Sequence, residues 1–71
     1  MPTLHVEFFA GRTVEQKRAL AAALTEATVR TLGTAPETVQ VLFHDIERHN
    51  WATGGVLWSD KAPPAPPPVQ A

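Results

Sequence analysis

The sequence predicts an α+β fold: a β-α-β protomer with parallel strands and a short C-terminal hairpin, assembling into an oligomer. Three observations predict it. Over residues 3–9, Leu4, Val6 and Phe8 alternate with Thr3, His5 and Glu7, the period-2 pattern of a strand with one buried face. From Val14 to Leu32 the chain is Ala-rich with no Gly or Pro inside it, which gives high helix propensity. From Thr38 to Ile46 it is β-branched and apolar, and Gly54-Gly55 then sits between Trp51 and Trp58, where a hairpin turn is expected. Strand, helix and strand joined by short loops make a right-handed crossover, so the two strands should run parallel.

The oligomer follows from size. The chain has 71 residues, 44% hydrophobic and 18% charged, which fits one small globular domain. A domain this small buries only about 60% of its unfolded surface and is marginal alone. It has no Cys, so neither a disulfide nor a thiolate metal site can staple it. Self-association is the remaining common remedy. The net charge is −1 with no basic cluster, which argues against a nucleic-acid partner. With no signal peptide and no long apolar run, the expectation is a soluble, cytoplasmic protein without membrane contact. His5, His44 and His49 lack metal-ligand spacing, so no metal site is expected.

The chain opens on Met1-Pro2. Aminopeptidases usually remove Met before a small residue, which would leave Pro2 as the first residue with a secondary amine in place of an amide. A free α-amino group has a reference pKa of about 7.7–8. An apolar site or a nearby cation lowers an amine's pKa, and a base matched to the working pH is what proton shuttling needs. The plainer reading is a stiff residue at the first position of a strand, where a missing N–H does no harm. Phe9 breaks the alternation that precedes it and is expected on the opposite side, at a subunit contact. Ala10-Gly11-Arg12 reads as a turn, with Gly11 free to take a positive φ.

Thr13 reads as a helix N-cap, and Gln16 completes a capping-box pattern. Leu20, Leu24, Ala27 and Leu32, at spacings of 4, 3 and 5, form an approximate apolar stripe. Ala21, Ala22 and Ala23 would let the helix lie close to a sheet, with Lys17, Arg18, Glu26 and Arg30 as polar surface. Gly33 is the expected stop. In the second strand, Val39, Val41 and Phe43 face one side and Gln40, Leu42, His44 and Ile46 the other, as in a strand covered on both faces. Arg48-His49-Asn50 is a polar turn. Two Trp in an exposed ribbon are costly to leave wet, so the ribbon is expected against a neighbouring subunit. The domain is expected to span residues 2–61, and the Pro-rich residues 62–71 to form a disordered tail.

The order Pro2, strand, Gly11-Arg12-Thr13, Glu15-Gln16-Lys17 opening a helix, second strand, and Trp51-Ala52-Thr53-Gly54-Gly55 resembles the 4-oxalocrotonate tautomerase family. The resemblance runs from residue 2 to about residue 60 without a gap. It implies the tautomerase or macrophage migration inhibitory factor-like fold, with protomers pairing their sheets and assembling into a homohexamer, a dimer or trimer being smaller alternatives. It implies an isomerase of the 4-oxalocrotonate (2-hydroxymuconate) tautomerase type. Pro2 would be the catalytic general base, acting on a small-molecule carboxylate of the 2-hydroxy-dienoate or enol-pyruvate class, with no metal or organic cofactor. Arg12 matches the arginine that binds a substrate carboxylate, a task suited to the planar guanidinium fork. Trp51 matches an aromatic pocket wall. The backbone amide around Phe9 lies where the family binds the substrate's hydroxyl or carbonyl end.

One position departs from the family pattern. The best-known members carry a second arginine on the second strand, where this chain has Gln40. Glutamine donates hydrogen bonds without charge, and a charge-assisted bond contributes about 1.5–3 kcal/mol against about 1 for a neutral one. The change disfavours a dicarboxylate such as 2-hydroxymuconate and suits a monocarboxylate or an aromatic enol such as phenylenolpyruvate. Arg48 could compensate from its loop, and His44 shares a strand face with Gln40. Two other readings stay open: a cofactor-free hydratase or dehalogenase of haloacrylates, for which Glu7 and Asp45 are the available carboxylates, and a non-catalytic oligomeric binding protein on the same fold.

Overall fold

A computed structural model of the chain describes residues 1–61; the tail expected over residues 62–71 lies outside them. Strand β1 (Thr3–Phe9) leads through the Ala10–Thr13 loop into helix α1 (Val14–Leu32). A 3₁₀ turn (Pro36–Thr38) precedes β2 (Gln40–Ile46), a second (Arg48–Asn50) follows it, and β3 (Ala52–Thr53) and β4 (Val56–Leu57) form a hairpin that ends in a third (Trp58–Asp60). β1 and β2 pair in parallel, in register from Thr3 with Gln40 to Phe9 with Ile46. The expected β-α-β unit and hairpin are both present.

Local chemistry sets the boundaries. The Gln16 amide N–H donates to Thr13 Oγ1 at 3.1 Å, and Gln16 Oε1 accepts from the Thr13 N–H at 2.9 Å, a complete capping box. Gly33 ends the helix with φ 71°, its N–H donating to the Val29 carbonyl. A side chain there would meet the left-handed penalty that glycine avoids. The second strand starts later than its β-branched run suggests. Pro36 seeds a 3₁₀ turn in which the Thr38 and Val39 N–H groups donate to Ala35 and Pro36 carbonyls, so these two residues are spent on the turn and Gln40 begins the ladder. In the hairpin, Gly54 and Gly55 both have positive φ, 61° and 80°, as a two-residue primed turn requires. Thr13→Ala removes the capping oxygen and is expected to destabilise the fold by about 1 kcal/mol, read as a lower urea midpoint at fixed protein concentration.

The helix covers one face of the sheet. Lys17 Nζ donates to Asp45 Oδ2 at 2.7 Å and lies 5.9 Å from the centre of the Phe8 ring, and Phe8 stacks on Phe43 at 5.8 Å. Lys17 is thus a tie to β2 as well as polar surface. The stripe along the helix differs from the expected one at its end. Leu20, Leu24 and Ala27 are half-buried, but Leu32 is 63% exposed, because a step of five residues turns about 140° round a helix. Ala22 and Ala23 are also exposed. Ala21 and Ala22 line an open groove of about 620 Å³ with Val29 and Pro36, away from the close sheet packing expected of them.

Among the described residues, the opposite face of the sheet is covered only at its Phe9 end, by Trp51 and Trp58. It presents Thr3, His5, Glu7 and Phe9 from β1 and Gln40, Leu42, His44 and Ile46 from β2. His5 and His44 share a hydrogen bond there, Nδ1 to Nε2 at 3.2 Å, with their rings stacked. None of the described residues is fully buried. Parallel sheets are normally covered on both faces, so a single copy is an unfinished core.

Candidate active site

The register of the two strands divides the expected site residues into two groups. At the amino ends of the strands, the Pro2 carbonyl accepts from the Gln40 N–H at 2.9 Å. Pro2 is half-buried and the Gln40 side chain is exposed. This bond holds the start of β1 against the start of β2, so Pro2 is fixed by the ladder despite its place at the terminus.

The second group gathers at the carboxyl ends. Phe9 is the last residue of β1, and its ring meets Trp51 at 4.6 Å and Trp58 at 5.4 Å between centroids. The Trp58 N–H donates to the Trp51 carbonyl at 2.8 Å, and Trp58 Nε1 donates to Thr53 Oγ1 at 3.0 Å. The two Trp, expected against a neighbouring subunit, are half-buried on their own chain's Phe9. The hairpin is the reason: its turn at Gly54-Gly55 places Trp51 opposite Trp58, and both rings reach the Phe9 side of the sheet. Arg48 lies with its guanidinium carbon 4.4 Å from the Phe9 ring centre. Lys61 Nζ is 3.9 Å from the Trp58 ring centre. Arg12, in the loop that follows Phe9, is exposed.

The two groups are not brought together within one chain. Pro2 and Phe9 lie at opposite ends of a seven-residue strand, about 23 Å apart at roughly 3.3 Å per residue. No small enol acid spans that distance. His44 is paired with His5 in the middle of the open face, between the two groups.

Trp58, placed by the sequence only in the C-terminal ribbon, joins the Phe9 cluster. Its signal was present: counting outward from the glycine pair sets residue 58 opposite residue 51. Arg48 had a weaker signal. A loop arginine becomes informative only once the strand register shows that its loop and the Arg12 loop leave the same end of the sheet.

Comparison with known proteins accords with this geometry. The family model for tautomerase enzymes matches residues 2–61. A probable tautomerase, RSp1151, from Ralstonia nicotianae is 36% identical over 61 residues, covering 86% of this chain and 94% of the relative. A probable tautomerase from Streptococcus pneumoniae serotype 4 is 46% identical over 57 residues, covering 80% and 95%. Among solved structures, a 4-oxalocrotonate tautomerase homologue (TTHB242) superposes with a TM-score of 0.82 at 44% identity, covering 89% of this chain and 100% of that one. With a matching family model, relatives covered over nearly their whole length and the same protomer architecture, this chain belongs to the tautomerase family of isomerases.

Proposed function

We propose that the protein, once Met1 is removed, ketonises a small 2-hydroxy-dienoate or enol-pyruvate acid with the Pro2 secondary amine as general base. The amine takes the enol O–H proton, the O–H electrons form the carbonyl, and the carbon–carbon π pair accepts the proton back at a substrate carbon. Nothing is oxidised or reduced, and the amine is regenerated neutral. Arg12 holds the substrate carboxylate. The Gln40 side chain donates to a substrate oxygen, the backbone at Phe9 receives the hydroxyl or carbonyl end, and Trp51 excludes water from the base. A dry wall and a nearby cation both favour a neutral amine at the working pH.

The observation that carries this reading is the placement of Pro2 directly before the first strand, anchored to Gln40, in a chain that matches its family from residue 2 onward. The distance between the groups adds a condition: the working site draws Pro2 and Gln40 from one copy and Phe9, Arg12 and Trp51 from another. An unfinished core supports the same condition. We take the folded unit to be residues 2–61, the assembly to be a homohexamer, and the setting to be cytoplasmic.

The test is the initial rate of phenylenolpyruvate ketonisation by protein whose N-terminus is confirmed by mass spectrometry as Pro2, beside protein that retains Met1. The expected result is activity only in the first. Its rate should rise with pH through an apparent pKa below the ~7.7–8 of a free α-amine, since the deprotonated amine is the active form. Equal rates for the two proteins would overturn the proline-base reading.

A further inference from the structure

We infer that Arg48 is a second carboxylate-binding arginine, acting beside Arg12 at the carboxyl end of the sheet, and that the pair selects substrates whose single acid group sits at that end. The inference rests on the tautomerase reading above and assigns the charge pattern of its substrate.

The register carries the first step. Phe9 and Ile46 are paired at the last position of the parallel ladder, so the two loops that follow leave the sheet together. Arg12 lies on one and Arg48 on the other. The space outside the carboxyl ends of parallel strands is where α/β sheets place their ligands.

The second step is that Arg48 is positioned but uncommitted. Its guanidinium carbon stands 4.4 Å from the Phe9 ring centre, an aromatic contact that holds the group. Its own carbonyl accepts from the Trp51 N–H at 3.3 Å, and the turn is closed by the Asn50 N–H on the Glu47 carbonyl at 2.8 Å. Among the described residues the ion pairs are Lys17 with Asp45 and Arg30 with Glu26. Neither Arg48 nor Arg12 has a carboxylate partner there. Glu47, its neighbour in sequence, is not paired with it. A guanidinium resting on an aromatic wall keeps N–H donors for a planar carboxylate.

The third step is the asymmetry. Two arginines without a carboxylate partner among the described residues stand at one end of the site, and the neutral Gln40 stands at the other. A dicarboxylate would leave one acid against a neutral amide. A monocarboxylate with an uncharged or aromatic far end sets its one acid between the two guanidiniums and places no acid against the neutral amide.

The experiment compares Arg48→Gln with the parent on phenylenolpyruvate and on its methyl ester, which keeps the enol but lacks the acid. The expected result is a fall of about tenfold in the kcat/KM preference for acid over ester, carried mainly by KM, the value of one charge-assisted hydrogen bond. Arg48→Lys should recover part of it. If acid and ester fall equally, or neither falls, Arg48 only packs against Phe9 and the inference is overturned. A second measurement separates this from failure of the proline mechanism. Quenching of Trp fluorescence by phenylpropanoate and by phenylpropanamide reports binding without turnover, because both Trp residues of the chain lie in the Phe9 cluster. Acid-selective quenching lost in Arg48→Gln supports the inference even in a protein that fails to ketonise. Quenching equal for acid and amide in the parent overturns it.

Discussion

Pro2→Ala protein, confirmed by mass spectrometry to have lost Met1, should ketonise phenylenolpyruvate roughly 10²–10⁴-fold more slowly than the parent, the usual contribution of a positioned general base. The loss should fall on kcat, with KM little changed, because Pro2 meets the proton and not the carboxylate. Some activity should remain, since alanine still presents a primary amine at the same place. The fold should not suffer. The contact that anchors the start of β1 is the Pro2 carbonyl accepting from the Gln40 N–H, and alanine keeps that carbonyl. A urea midpoint equal to that of the parent, alongside the lost rate, would separate chemistry from stability. A rate within a few-fold of the parent would remove Pro2 from the mechanism.

Two impaired proteins should make an active one. Pro2→Ala destroys the base and Arg12→Gln the carboxylate grip, and each pure variant should be strongly impaired. Because about 23 Å separates Pro2 from Phe9 along β1, a site that uses both ends must take them from different copies. In a 1:1 mixture that is unfolded and refolded together, some sites will combine an intact Pro2 with an intact Arg12. Random assembly sets that share at roughly a quarter, and the activity should return to about that fraction of the parent's. Mixing without refolding should recover less if subunits exchange slowly. If the refolded mixture is no more active than the mean of the two variants, Pro2 and Arg12 do not act in one shared site.

Much of this arrangement was legible along the chain. The period-2 alternation from Thr3 to Phe8, the capping box from Thr13 to Gln16, the stop at Gly33 and the turn at Gly54-Gly55 are each written by a few adjacent residues. Each matches the structure, because hydrogen bonds and steric limits within a few residues are enough to decide them. The β-α-β order determined that the strands run parallel, since the helix carries the chain back along the sheet to the end where β1 began.

What residue type alone did not settle depends in part on local backbone geometry and in part on groups far apart in sequence. The second strand was read as starting at Thr38 because β-branched residues fit strands, but Pro36 drew Thr38 and Val39 into a 3₁₀ turn. Leu32 counted toward the apolar stripe until the helix's rotation turned it to solvent. The two Trp flank Phe9 of their own chain, a contact that sequence order does not show, because the hairpin folds back to the end of β1. The sequence alone determined the residue types that suit tautomer chemistry, a proline behind the initiator Met and an arginine after a glycine turn. The strand over residues 3–9 already set these two at its opposite ends; only the tertiary structure decided that Gln40 pairs beside Pro2 and that Arg48 joins the arginine's end. Strand register carries that information: seven residues of ladder hold the ends apart and set which loops emerge together.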